Sequence, residues 1–336
     1  MVPTRWRTIY AILLAGIVAT GCARTPVRRT DTPEPAIAPP ESKAPAGRLV
    51  AIPGGGDPEG SVVDPSTNTL AVALRHPDGV TLFDLPTASV RRFVALDGAP
   101  RHLQLAAPGG PLLAPAEGSD HLFRVNLPGG DVEPAVPVGR QPHDVAPAGG
   151  AVFVGDELAD TVHIVRGSTS TVVGAPTQPG GVAASGDGQN VFVVGVRGRE
   201  IEQITAAGRI VGRSPCGVGP THVRSARNGL SYVADTQGDA LLIFAAGRHG
   251  PRQVGRIHTG GRPYGLAVDS RRHEVFVTLT ATNQLRSFRI TGRHLRPDRT
   301  WPTARQPNDV TVDERSGQAI VTGTAASVLE FIDPTH

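Results

Sequence analysis

The chain has 336 residues and a formal charge of +3, with 41 glycines, 31 prolines, 2 cysteines and 4% aromatic residues. Glycine and proline interrupt helices, so this composition argues against a long helical bundle and favours short strands joined by tight turns. An apolar content of 39% argues against general disorder, and two cysteines are too few for a disulfide framework.

The N-terminal 22 residues have the pattern of an export signal. Arg5 and Arg7 precede an apolar run over residues 9–18, which is too short for a membrane-spanning helix of roughly 20 residues but fits a signal-peptide core. The small residues 19–21 before Cys22 resemble the lipobox of bacterial lipoproteins. This resemblance implies a signal peptide over residues 1–21, lipidation of Cys22 (palmitate included) and anchoring on the extracytoplasmic face of the cell membrane. An ordinary signal peptide with an incidental cysteine is the alternative.

Residues 22–47 are rich in proline and poor in large apolar side chains. Such a segment buries too little surface to fold, and proline keeps it extended. We therefore interpret it as a tether between the lipid and a folded body, with recognition through PxxP-like motifs as the alternative.

The body, residues 48–336, consists of seven copies of one repeat. A small residue, a proline and an alternating apolar segment recur with a period near 41 residues, and the marker prolines are at positions 58, 100, 142, 179, 220, 263 and 307. Four alternating segments per period predict an all-β fold, a seven-bladed β-propeller with four-stranded blades. The last repeat has three strands and ends at residues 328–332, while residues 48–52 form an extra strand before the first repeat. We expect this N-terminal strand to complete blade seven and close the ring; a β-sandwich is the alternative.

The repeats resemble the YVTN family of seven-bladed propellers. The resemblance rests on residues 232–235 (Tyr-Val-Ala-Asp) and 276–278 (Phe-Val-Thr), which stand in the second strands of units five and six. The family includes envelope proteins, binding proteins and a few enzymes, so the fold alone leaves the function open.

The first two residues after each marker proline begin the innermost strand, beside the central channel. Among them are side chains that bind ligands or metals and act as general acids and bases. The sequence therefore predicts a ligand-binding site at this channel mouth, with a divalent metal or a structural role as alternatives. Its members are Arg101, His102, His143, Asp144, His222, Tyr264, Asn308 and Asp309.

Acidic residues populate the loops on the same face. Pairs four residues apart suggest Ca²⁺ ligands, but the loops lack the dense oxygen spacing of an EF-hand, so turn-forming hydrogen bonds explain them better. These acids are Asp78, Glu117, Asp120, Asp156, Glu157, Asp160, Asp235 and Asp239. Cys216 has no activating motif around it, which predicts a buried, unreactive thiol.

Charge is distributed unevenly around the predicted ring. Residues 48–190 hold 8 arginines and 15 acids, whereas residues 248–315 hold 13 arginines and 6 acids. The arginines of blade six suggest a surface for an anionic ligand or an envelope protein. They are Arg262, Arg271, Arg272, Arg286, Arg289, Arg293, Arg296 and Arg299.

Three functions follow from these observations. The one we favour is a lipid-anchored propeller that acts as a ligand- or protein-binding module at the bacterial cell surface. A metal-assisted enzyme similar to propeller lactonases or streptogramin lyases, using His102, His143 and His222, is the alternative. Nucleic-acid binding through the arginines of blade six, known among YVTN-type propellers, is the third and least expected.

Overall fold

Antiparallel strands account for nearly all the regular structure of this protein, whose computed structural model describes residues 34–334. Strands sort into seven sheets, each a blade, and this confirms the seven-bladed β-propeller. Apolar clusters fill the spaces within and between blades. None of the described residues forms a helix with the length and apolarity that membrane crossing requires.

The strands follow the chain blade by blade. The closing strand β1 is Arg48–Ala51. Blade one contains β2 to β5, which are Pro58–Asp64, Thr69–Arg75, Asp78–Asp84 and Ser89–Ala95. Blade two contains β6 to β10, which are Gln104–Leu105, Leu112–Ala116, His121–Asn126, Asp131–Val132 and Val136–Pro137. Blade three contains β11 to β14, which are Pro142–Ala148, Ala151–Asp156, Thr161–Arg166 and Thr169–Gly174.

The remaining blades repeat this order. Blade four contains β15 to β18, which are Pro179–Ala184, Asn190–Gly195, Glu200–Thr205 and Ile210–Pro215. Blade five contains β19 to β22, which are Pro220–Ser225, Leu230–Asp235, Ala240–Ala245 and Arg252–His258. Blade six contains β23 to β26, which are Pro263–Asp269, Glu274–Leu279, Gln284–Thr291 and His294–Pro302. Blade seven contains β27 to β29, which are Pro307–Val312, Ala319–Gly323 and Val328–Ile332. Two short 3₁₀ helices, Thr280–Thr282 and Thr324–Ala326, link strands in blades six and seven.

The ring closes between the two ends of the chain. Strand β1 pairs antiparallel with β29, with Arg48 opposite Phe331 and Ala51 opposite Val328. The guanidinium of Arg48 lies 4.7 Å above the Phe331 ring, and Glu330 accepts a hydrogen bond from the Gly47 N–H at 2.8 Å. The N-terminal strand therefore completes blade seven, as the sequence predicts.

Blade two departs from the predicted four-stranded pattern. Its innermost strand is only β6, and the marker Pro100 makes a single bridge to Ala116. Its outer edge is split into β9 and β10 with Pro134 between them. Proline has no N–H to donate to a strand ladder, so Pro134 interrupts the outer strand and the sheet contains five short strands.

The described part of the proposed tether lies against the propeller. Gln306 accepts a hydrogen bond from the Ala38 N–H at 2.8 Å and donates one to the Ala36 carbonyl at 2.9 Å. Ala38 is 2% exposed, and Asn283 donates to the Pro39 carbonyl at 2.8 Å. A free spacer therefore does not include residues 36–39, because glutamine and asparagine side chains of blades six and seven satisfy their backbone groups. Cys22 and the proposed signal peptide lie outside the described residues.

Candidate functional site

A bulge at the start of the innermost strand shapes the predicted channel mouth. In six blades the pairing of the first two strands shifts just after the marker proline, as between Pro142 and Asp144 in blade three. A bulge re-aims side chains by adding a residue to one strand. Here two successive residues both make contacts with other blades, since His143 lies against His102 of blade two and Asp144 pairs with Arg224 of blade five.

Three buried histidines meet in the channel. The Nε2 atoms of His102 and His222 are 3.0 Å apart, and the rings of His102 and His143 pack edge to face with centroids 4.9 Å apart. The three residues are 3–7% exposed, and one ring nitrogen of each lies within 4.8 Å of the others. We call this group the histidine cluster. It joins the neighbouring blades two and three to blade five, which is not adjacent to either of them.

The histidines differ in protonation. Burial lowers the pKa of both His102 and His222 well below the usual range, and repulsion from His143 adds to this effect. Burial also opposes charge on His143, but hydrogen bonds to Glu117 and Glu157 outweigh it and raise the pKa of His143 to about 9. Near neutral pH the cluster therefore contains two neutral imidazoles and one imidazolium.

Two carboxylates fix the orientation of His143. Its Nδ1 lies 2.9 Å from Glu117 Oε1 and 3.4 Å from Glu157 Oε2. Burial favours the neutral form of Glu157, but the hydrogen bond and the charge of His143 outweigh it and lower the pKa of Glu157 to about 2. The amides of Gln141 and Gln178 each donate to Glu157 at 2.6 Å. These contacts leave Nε2 of His143 as the ring nitrogen without a carboxylate partner.

Arg101 and Tyr264 complete the wall above the cluster. Arg101 donates to the Tyr264 hydroxyl at 3.3 Å and lies 3.7 Å from Glu59. The Tyr264 ring packs edge to face on His222 with centroids 4.4 Å apart. Burial raises the pKa of Tyr264 to about 12, so its hydroxyl stays protonated and donates or accepts as a neutral group.

The space left at this mouth is small. A void of about 30 Å³ lies between His143, His222, Arg101 and Tyr264, and Glu34 lines its edge. The Glu34 carboxylate is 4.0 Å from Arg101. A void of this size holds roughly one water or ion.

Three predicted site residues make structural contacts instead, and two of them, Asp144 and Asp309, join blades. Asp144 accepts from the Val182 N–H at 3.0 Å, and Asp309 accepts from the Ser61 N–H at 2.7 Å and from its hydroxyl at 2.9 Å. Each aspartate thus links its own inner strand to that of the next blade. Asn308 accepts from Gln306 at 2.9 Å. None of the three has a described hydrogen bond to the histidine cluster.

The pKa of Asp309 is high for a carboxylic acid that accepts two hydrogen bonds. Burial raises its pKa to about 6, although the charge of Arg224 and the bonds from Ser61 act in the other direction. Arg224 also pairs with Asp144 at 3.2 Å, and Asp144 is fully buried. A single guanidinium therefore serves two carboxylates in the middle of the channel.

The loop acids hold consecutive blades together. Asp120, Asp160 and Asp239 have left-handed backbones with φ of 50–60°, and each accepts from the N–H that precedes the next marker proline. The acceptor distances are 2.8, 2.8 and 2.9 Å, to Gln141, Gln178 and Arg262. Asn283 does the same for Gln306 at 3.0 Å. We call this contact the blade clamp. These acids therefore act between blades, 18–23 residues along the chain, and the contacts are not the local turn bonds that the sequence suggested.

Other sequence candidates take structural positions. Cys216 is fully buried in an apolar cluster, and burial raises the pKa of its thiol, which agrees with an unreactive cysteine. The arginines of blade six are spread over several strands and turns. Arg289 pairs with Asp298 at 3.3 Å on the outer strands, whereas Arg272 pairs with Asp269 at 3.0 Å in the first turn of the blade.

Four residues of the candidate site were not predicted from the sequence. Arg75 bridges Glu59 and Glu117, at 2.9 Å to each, and so positions the acid that holds His143. The other three residues also reach the channel. Glu34 does so from the N-terminal segment, Gln178 from the loop before β15, and Arg224 from the inner strand β19. The sequence did offer an indication for Arg224. It is a charged residue at the fourth position after a marker proline, on a strand whose other residues are largely buried.

Comparisons with known proteins identify the fold. The chain matches no protein-family model and no curated protein. A streptogramin B lyase structure has a TM-score of 0.71 and 12% identity, and the match covers 85% of this chain and 98% of the lyase. A chain of the mitotic checkpoint complex has a TM-score of 0.74 at 14% identity, covering 88% and 96%. A chain of Kuenenia stuttgartiensis hydrazine synthase has 0.70 at 16%, covering 84% and 97%. Identities this low establish the propeller fold alone.

Proposed function

We propose that this protein is a lipid-anchored binding module on the extracytoplasmic face of a bacterial membrane, and that its channel mouth binds a divalent transition-metal ion. The observation that carries the metal proposal is the convergence of three buried imidazoles whose ring nitrogens lie within 4.8 Å of one another. Imidazole is a preferred ligand of Zn²⁺, Ni²⁺ and Cu²⁺. Two imidazole nitrogens on one tetrahedral zinc ion are roughly 3.3 Å apart, so small side-chain rotations bring the cluster to that geometry.

The surroundings of the cluster suit a cation. Glu117 and Glu157 hold Nδ1 of His143, so Nε2 is the nitrogen left for a metal, and it would release its proton to solvent when the ion binds. A carboxylate behind a histidine ligand is the usual second layer of a metal site, because it fixes the ring and makes it more basic. Glu34 adds negative charge at the void itself, and Glu59 offsets the positive charges of Arg75 and Arg101.

The same geometry favours an ion over an organic substrate. The void of about 30 Å³ is far below the roughly 300 Å³ of the smallest ordinary ligand pockets. Glu34 lies at its edge, where it narrows the approach from solvent. A lactonase- or lyase-type reaction at this mouth would require the N-terminal segment to move away, so we favour the binding role.

We predict that the histidine cluster binds one Co²⁺ or Zn²⁺ per chain. Purified tag-free protein titrated with Co²⁺ is expected to show the visible absorption of a low-coordinate cobalt site. The variants H102A and H222A are each expected to weaken binding at least a hundredfold, and E117Q by about tenfold, the usual cost of losing a carboxylate behind a ligand.

The control for this titration is H294A, which removes an exposed histidine on the outer edge of blade six. Far-UV circular dichroism and a thermal melt verify that each variant is folded. Equal cobalt affinity for H102A and H294A, or a wild-type protein that takes up no metal at micromolar concentration, would contradict the proposal.

The anchoring proposal has its own test. With the chain produced in a bacterial host, wild type is expected in the membrane fraction, and C22S is expected to lose acylation and membrane attachment, because two or three acyl chains are needed for durable anchoring. The matched control is C216S, which alters the buried thiol and should remain membrane-bound. Membrane attachment of C22S after an alkaline carbonate wash would overturn the anchor.

A further inference from the structure

The channel has a second opening, at the ends of the inner strands. A cavity of about 440 Å³ lies there, enclosed by blades one, two, five, six and seven. Its volume is within the range of pockets that hold small organic molecules. None of the residues predicted from the sequence as the channel-mouth site lines it.

Four arginines line this cavity, and we call it the arginine pocket. They are Arg224, Arg227, Arg271 and Arg315, and the single acid of the lining is Glu314. Arg227 lies 3.0 Å and Arg271 3.9 Å from the same Glu314 oxygen. Two guanidinium groups therefore share one carboxylate, which leaves most of their N–H donors open to solvent or to a ligand.

The deepest cation keeps donors for a ligand as well. Arg224 has a side chain only 19% exposed. Among the described residues its hydrogen bonds use Nη1 alone, to Asp144 and to the Val223 carbonyl. Its Nε and Nη2 groups remain for an anion in the pocket, and a partly desolvated guanidinium binds an oxyanion more strongly than an exposed one.

Turn carboxylates hold the outer arginines in place. Asp269 accepts from the backbone N–H of Arg271 at 2.9 Å, and Asp313 accepts from the backbone N–H of Arg315 at 3.1 Å. Glu314 also accepts from the Ser270 N–H at 3.1 Å, so it fixes the neighbouring turn. Because these turns are ordered by the protein itself, a ligand would lose little free energy in organising them.

Apolar side chains form one part of the lining, beside the polar Ser61, Ser66, Gln104 and Thr311. Leu103, Leu266 and Val310 are 2–3% exposed and form the inner wall above the arginines. A fully polar anion such as sulfate would leave this wall unused. The combination fits a molecule with an oxyanion at one end and an apolar body at the other.

We propose that the arginine pocket binds a small organic oxyanion, with its carboxylate or phosphate group among the arginines and its apolar body against Leu103, Leu266 and Val310. This site lies at the other end of the channel from the histidine cluster, and it does not depend on the metal proposal. The anion and the metal are bound by different residues and are tested separately.

Isothermal titration with three probes of similar size tests this proposal. Phenyl phosphate and phenylacetate carry the two oxyanions on an apolar ring, and benzyl alcohol is the neutral analogue. Binding of at least one anion, weakened by added salt, is expected, and the tighter of the two identifies the oxyanion class. Binding of benzyl alcohol as tight as that of the anions, or binding of none of the probes at several millimolar, would overturn the proposal.

Two variants with opposite expected effects place the site. R227Q/R271Q is expected to weaken anion binding at least tenfold, whereas E314Q is expected to tighten it about threefold by removing the competing carboxylate. R293Q, which alters an exposed arginine of the same blade outside the pocket, should match wild type. An affinity of R227Q/R271Q equal to that of R293Q would overturn the assignment. Cobalt binding should be unchanged in E314Q, which separates this site from the channel mouth.

Discussion

A chain that begins at Pro53, without the closing strand β1, is expected to melt about 10 °C below the full chain and to form soluble oligomers. The truncation removes the four residues of β1 that pair with β29, together with the buried side chain of Ile52. With about 1 kcal/mol for each of roughly four ladder hydrogen bonds and about 2 kcal/mol for the isoleucine, the loss is about 6 kcal/mol. It also leaves the backbone of β29 as a free sheet edge, which pairs with other chains.

The control is a chain that begins at Gly47. It lacks the N-terminal segment that packs against blades six and seven but keeps β1 and its pairing with β29. Calorimetry gives the melting temperatures, and size-exclusion chromatography with light scattering gives the masses. If the two truncated chains melt at the same temperature and both remain monomeric, then the pairing of β1 with β29 contributes nothing measurable to the stability of the propeller.

The second large effect is expected for R224M. Arg224 is the countercharge of Asp144, a fully buried carboxylate 80 positions away in the chain and two blades away in the ring. Methionine preserves the apolar stem but leaves this carboxylate without a countercharge, which costs about 3–5 kcal/mol of unfolding free energy. Urea unfolding at pH 7 measures this loss, and the double variant R224M/D144N should recover part of it.

The loss in R224M should also depend on pH. The pKa of Asp309 is raised to about 6, so between pH 4 and 6 the folded protein binds more protons than the unfolded chain. This contribution to stability is complete at the lower pH and is lost as pH rises through about 6. Since Arg224 favours the charged form of Asp309, R224M should be less destabilising at pH 4.5 than at pH 7.

The matched control is R227M, which makes the same change in a side chain that is 69% exposed. Its partner Glu314 remains partly solvated, so the expected loss is below about 1 kcal/mol. An R224M protein whose unfolding free energy stays within that limit would show that Asp144 needs no countercharge.

The fold was predictable because the repeat encodes it locally. In six blades the innermost strand begins at the marker proline. The closing strand followed from a count of strands at the two ends of the chain. Blade two was not predicted, because its two prolines at 134 and 137 interrupt an outer strand whose apolar alternation is too weak to show the break. The position of residues 36–39 was not predicted either, since it depends on side chains more than 240 positions away.

The site was predictable in part. The rule that the two residues after a marker proline reach the channel brought His102, His143, His222, Arg101 and Tyr264 together. It could not show which of them meet, because blades two and five face each other only in the closed ring. It also placed Asp144 and Asp309 in the site, where the neighbouring backbone uses their carboxylates. A Cβ on Gly60 would lie 2.6 Å from the Arg101 carbonyl, so glycine in blade one permits the close approach that positions His102.

The blade clamp joins blade two to three, three to four, five to six and six to seven, each time through one side chain and one backbone N–H. The side-chain oxygen that accepts belongs to one repeat. The donor in the next repeat is a backbone N–H, which every residue except proline supplies. A duplicated or exchanged repeat at one of these junctions would therefore keep this hydrogen bond, whatever side chains it presents to the channel. Because the contact between blades does not depend on the channel side chains, the two ends of the channel can differ in chemistry, with histidines at one end and arginines at the other, while the blades still assemble in the same way.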